Sequence, residues 1–155
     1  MIRKILPWFV FVSLILLIIV GLASKDKLTQ YLSNTMMKNA APSILDSGAA
    51  YIDSAYNYSK NGLEYEMTFL EFGATGCVAC RKMESVMEEV KLKYPNKVNV
   101  VFLNILKPEN QTLMKYYGIA AIPTQVLLNK EGVEFYRHTG YIDTKYLSIN
   151  FKLNR

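Results

Sequence analysis

The chain has 155 residues, a net charge of +5, one histidine and two cysteines, and 51% of its residues are apolar. That content suffices for one folded domain plus an additional segment. Basic and acidic side chains are interspersed, which argues against a nucleic-acid-binding stripe, and two thiols with one imidazole are too few ligands for a four-coordinate metal site.

Taken in order, the first feature is an uncharged run, Ile5 to Ala23, preceded by Arg3 and Lys4. Its length is near that of a membrane-crossing helix, and Trp8 stands near one end as an interfacial anchor does. We therefore expect residues 1–24 to form an N-terminal transmembrane helix or signal segment. Gly21 and Ala23 before Ser24 offer a signal-peptidase site; against removal, the run is longer than a signal-peptide core. The short basic tail favours export of the chain beyond the run. Residues 25–42 are polar and mixed and read as a juxtamembrane stalk or weakly helical stretch ending at Pro42. Residues 43–155 then form the folded domain.

Within that domain, Ile44, Leu45, Ala49, Ile52, Ala55 and Tyr56 space as one helical face ending near Asn61-Gly62, where glycine suits a left-handed cap. "MTFLEF" reads as a short apolar strand, and "GATG" delivers Cys77 and Cys80. Met83, Val86, Met87 and Val90 then repeat as a buried helical face closed by Tyr94-Pro95. "VNVVFLNIL" has the β-branched and aromatic content of a buried strand. "NQTLMKYYG" is helical, "QVLLN" and "VEFYRHTG" form a hairpin about "NKEG", and a last helix is capped at Asp143 or Thr144. Strands joined early through helices and late by a hairpin predict an α/β domain, a central mixed sheet with helices on both faces.

Two thiols separated by two residues serve as a redox couple, as half of a metal site or as a small structural disulfide. A metal lacks ligands here, and a bridge over so short a loop constrains little of the unfolded chain. Free cysteine, with a pKa of ~8.5, is mostly protonated near neutrality. A thiol at the first turn of a helix is aimed at by unpaired N–H groups that favour its thiolate, so Cys77 is the better nucleophile. Cys80, one turn further in, is placed to attack a mixed disulfide at Cys77.

From Phe69 to Thr124 the sequence resembles the thioredoxin superfamily, on "FLEFGATGCVACRKM" and on Pro123 in "YGIAAIPT", 43 positions after Cys80. The likeness continues loosely through "QVLLNKEGVEFYRHTG". The resemblance implies a thioredoxin-like fold with Cys77 as attacking thiol, Cys80 as resolving thiol and Pro123 as the cis-proline facing them. Ile122 would offer its backbone to an extended substrate, and Gly76 would belong to the substrate-facing surface. It also implies that Glu71, on the strand before the cysteines, is a buried proton acceptor for Cys80. Gly76 stands where most members have tryptophan, and Phe102 where they usually have lysine.

Read with the apolar first segment, the resemblance implies a thiol-disulfide oxidoreductase, single-pass in a bacterial cell membrane, with its domain on the outer face. It would use no cofactor beyond the Cys77–Cys80 disulfide. Val78 and Ala79 supply no histidine between the sulfurs and Ile122 precedes the proline, which favours a protein-disulfide reductase. Its partners would be protein disulfides and an integral-membrane electron donor, with cytochrome c maturation as one destination. The alternatives are a weak oxidase or isomerase, and a non-catalytic binding module for secretion or membrane assembly.

Overall fold

The computed structural model describes residues 2–151 and 153, with the side chains of 2–7, 9, 22, 23, 25 and 26 outside the description. Arg3, Lys4, Lys25 and both ends of the apolar run fall on those side chains. Helix α1 spans Ile2–Lys38 without interruption. Residues 25–38 of the stretch expected as a stalk or weakly helical segment continue the first helix. Among the described residues no helix is long and apolar enough to cross a membrane, and the expected transmembrane helix is not shown there.

The far end of α1 packs on the domain. Ser33 is buried, and a Cβ on Gly118 would meet the Ser33 carbonyl and the Met37 side chain. Gly118 has φ of 54°, so it answers both the close approach and the left-handed backbone.

Helix α2 (Pro42–Ala55) starts with proline at its first turn, where a missing N–H costs nothing. The helix expected to run on to Asn61 breaks at Tyr56-Asn57 and resumes as α3 (Tyr58–Asn61). The Tyr58 N–H leaves the helical ladder to donate to the Lys130 carbonyl at 2.8 Å, tying this corner to the distant hairpin turn. Gly62 closes α3 in the left-handed region.

Strand β1 (Met67–Gly73), helix α4 (Val78–Lys93) and strand β2 (Val98–Asn104) form a crossover unit with β1 and β2 parallel. A 3-10 turn at Pro108–Asn110 leads into α5 (Gln111–Tyr116). Strands β3 (Thr124–Asn129) and β4 (Glu134–Thr139) make the hairpin, and α6 (Thr144–Ser148) ends the described elements. Asp143 caps α6 by accepting from the Tyr146 N–H at 3.0 Å. The sheet order is β2-β1-β3-β4, with β3 antiparallel to both neighbours.

Alternation along β1 sends side chains to two cores. Leu70 and Phe72, with Val126 and Leu128 of β3, pack against Ile52, Tyr56, Leu113 and Tyr117 of the α2/α5 layer. Met67, Phe69 and Leu127 pack against Met83, Val86, Met87 and Val90 of α4 and Leu147 of α6. Helices thus cover both faces of a mixed sheet, as the element order predicts. Strand β2 departs from its expected full burial: it lies at the sheet edge, and Phe102 is 42% exposed.

Candidate functional site

Strand β1 is buried throughout and fixes where the next turn emerges. Gly76 has φ of 87° with open space where its Cβ would be. The demand at this position is conformational, and glycine meets it without strain. The turn places Cys77 as the N-cap of α4 in extended conformation. Its Sγ accepts the backbone N–H of Cys80 at 3.1 Å, so the sulfur sits at the positive end of a four-turn helix.

Cys77 and Cys80 are joined as a disulfide, their Cα atoms 5.2 Å apart. Cys77 is half-buried, while Cys80 is 3% exposed. Val78 between them projects into solvent. A cavity of about 290 Å³ opens at the pair, lined by Thr75, Gly76, both cysteines, Arg81, Glu84 and Phe102. A Cβ on Gly73 would lie 2.8 Å from the Phe102 ring and 3.4 Å from the Cys80 sulfur. The missing side chain at Gly73 leaves the space that the Phe102 ring and the Cys80 side chain both border.

The Ile122-Pro123 peptide bond is cis. Pro123 immediately precedes β3, whose first residue pairs with Phe72 at the end of β1, so it enters the sheet beside the strand that leads to the cysteines. Its carbonyl accepts from the Gly140 N–H at 2.8 Å, and Thr124 donates its hydroxyl to the Ala121 carbonyl at 2.7 Å. Ile122 and Pro123 do not line the cavity at the cysteine pair.

Glu71 is fully buried on the α4 side of β1. Burial pushes its carboxyl from the ordinary 4.5 up to about 8, against the opposing effect of a hydrogen bond from Gln125. The Gln125 amide donates to Glu71 Oε2 at 3.0 Å. Sequence reasoning missed Gln125, which it placed in an apolar strand without comment. The signal that was available is a polar residue at an inward position between Pro123 and Leu127. Among the described residues no three of histidine, cysteine, aspartate or glutamate converge as metal ligands.

A mixed sheet between two helical layers, with a disulfide-forming Cys-x-x-Cys pair at the head of the crossover helix and a cis-proline just before the neighbouring strand, defines a thiol-bearing α/β class. The family model described as a thioredoxin-like domain matches residues 55–152, and the chain belongs to that family. The chain is 29% identical over 109 residues to the thioredoxin-like protein HCF164, chloroplastic, of Arabidopsis thaliana, a match covering 68% of this chain and 42% of that protein. To the thioredoxin of Buchnera aphidicola it is 36% identical over 78 residues, covering 50% of this chain and 70% of that one. Among solved structures, oxidised thioredoxin O2 of Arabidopsis thaliana aligns with a TM-score of 0.51 at 25% identity, over 64% of this chain and 83% of that one.

Proposed function

We propose that this chain is a membrane-anchored, extracytoplasmic thiol-disulfide oxidoreductase that reduces protein disulfides. The observation that carries the reading is the placement of the two sulfurs. Cys77 is half-buried at the N-terminus of α4, and Cys80 is buried one turn in. In the reduced protein the Cys77 thiolate attacks a substrate disulfide; one substrate sulfur leaves as thiolate and takes a proton, and a mixed disulfide forms. Cys80 then gives its proton to Glu71 in the fraction of molecules whose carboxyl is ionised, a minority at neutral pH, and its thiolate attacks the Cys77 sulfur. The Cys77–substrate bond breaks, the Cys77–Cys80 bond forms, and the second substrate sulfur leaves with the electron pair. The substrate gains two electrons and the protein becomes the disulfide.

The reductive direction is supported by Val78 and Ala79, which place no charge or donor beside the Cys77 thiolate and so do not favour the reduced form. Membrane anchoring is supported by the uncharged run from Ile5 to Ala23 and the basic residues ahead of it. A reductant outside the cytoplasm needs a continuing electron supply, and an integral-membrane donor meets that need. The short 43-position path from Cys80 to Pro123 favours protein disulfides in general over commitment to apocytochromes. The test is reduction of insulin by the pre-reduced full chain in detergent. Cys77→Ser and Cys80→Ser each abolish turnover, and Cys80→Ser retains substrate covalently at Cys77; undiminished reduction by Cys77→Ser contradicts the reading.

A further inference from the structure

Four side chains stand at successive paired positions across the sheet: Phe102 on β2, Glu71 on β1, Gln125 on β3 and His138 on β4. Residues paired across neighbouring strands share a face. Glu71 has the parity of Met67 and Phe69, so the row faces α4. Gln125 is fully buried within it. A buried amide is costlier than leucine or methionine of similar volume unless its partner needs it, and its one hydrogen bond among the described residues goes to Glu71 Oε2. Among the described residues, Glu71 Oε1 and Gln125 Oε1 are buried without hydrogen-bond partners.

We propose that Gln125 is a positioning residue for Glu71: its amide holds Oε2 and leaves Oε1 as the oxygen that exchanges the proton with Cys80. This rests on the reductase reading of the site. The choice of a neutral donor matters. Burial favours the protonated acid and the amide favours the carboxylate, so the two opposed effects leave a carboxyl able both to accept and to release a proton near neutral pH. A cation at 125 would hold Glu71 ionised, and an apolar residue would hold it protonated.

The neighbouring groups leave this role to Gln125. Helix α4, which packs on this face of the sheet, carries Cys80, with Arg81 and Glu84, at the cavity beside the cysteine pair. Strand β4 pairs His138 with Gln125 and Tyr136 with Leu127, β2 pairs Phe102 with Glu71, and α6 contributes Leu147 to the layer. None of the charged or titratable groups is hydrogen-bonded or ion-paired to Glu71 among the described residues.

The experiment uses the reduced full chain with an aromatic disulfide reagent that releases one coloured thiolate when Cys77 attacks and a second when Cys80 resolves. Gln125→Met is expected to move the pH midpoint of the second release at least about one unit to the alkaline side, a loss of about tenfold at neutral pH, with the first release unchanged. Glu71→Gln removes that midpoint, and adding Gln125→Met to it produces no further change. An unmoved midpoint in Gln125→Met overturns the proposal, as does a shift that persists in the Glu71→Gln background. Gln125→Leu is the alternative if the methionine variant does not fold. A carbon NMR titration of the Glu71 carboxyl in the oxidised protein reads the same coupling without activity. Wild-type chain inert toward the reagent and toward insulin contradicts the reductase reading, whereas an unmoved Glu71 titration contradicts the Gln125 proposal alone.

Discussion

Replacing Glu71 with glutamine isolates what it costs to bury an acid at 0% exposure. The folded carboxyl titrates at about 8 against an ordinary 4.5. Below pH 4.5 both folded and unfolded states are protonated and the group exacts no ionisation penalty. As pH rises further the unfolded chain releases this proton while the folded one keeps it, so stability falls until the folded carboxyl ionises near pH 8. The slope is about 1.4 kcal/mol per pH unit, so the window between 4.5 and 8 amounts to roughly 3 to 5 kcal/mol. Glu71→Gln keeps the shape and has no proton to lose. Urea unfolding of the oxidised full chain in mild detergent, at intervals from pH 4.5 to 8.5, gives the stability difference between wild type and variant. The variant should gain steadily on the wild type by several kcal/mol across that range. Taking the difference between the two proteins removes the contributions they share. A difference that stays flat across the range refutes the buried, protonated acid.

Gly73→Ala forces a Cβ to within 2.8 Å of the Phe102 ring and 3.3 Å of the Cys80 Cβ, and should cost about 1–3 kcal/mol by thermal unfolding; Phe102→Leu in the same chain should recover part of it. Arg137 donates twice to Glu134 and once, at 2.7 Å, to the Tyr117 carbonyl. Its replacement by alanine should cost about 1–2 kcal/mol and loosen the hairpin from the end of α5, read as faster amide exchange in β4. The full chain should stay with membranes through an alkaline wash, and a chain begun at Ser24 should be released; release of both contradicts the proposed anchor.

Much of the fold was legible because its signals are local. The i, i+3, i+4 spacing of Met83, Val86, Met87 and Val90 became the buried face of α4, and all four are buried. "NKEG" became the hairpin turn, with Gly132 at φ of 77°. What was not legible depends on contacts distant in sequence. The break after Ala55 follows from the Tyr58 N–H bonding to Lys130, and no property of residues 55–58 announces a partner so far along the chain. The partial exposure of β2 follows from its edge position, which its β-branched composition does not encode.

At the site, the cysteines and Pro123 were legible from their motifs. Their joint setting was less so. Phe102 is a departure from lysine in the sequence, but its approach to Gly73 needs the β1–β2 register. Gln125 reads in sequence as one polar residue in an apolar strand. Only the pairing of Glu71 with Gln125 across β1 and β3 makes the two a unit.

The measurement that bears most directly on the central claim is the reduction potential of the Cys77–Cys80 pair in the full chain, set by equilibration with glutathione or dithiothreitol. A protein-disulfide reductant should lie near the ~−270 mV of thioredoxin. A value above about −150 mV, approaching the ~−120 mV of a strong oxidant, contradicts it.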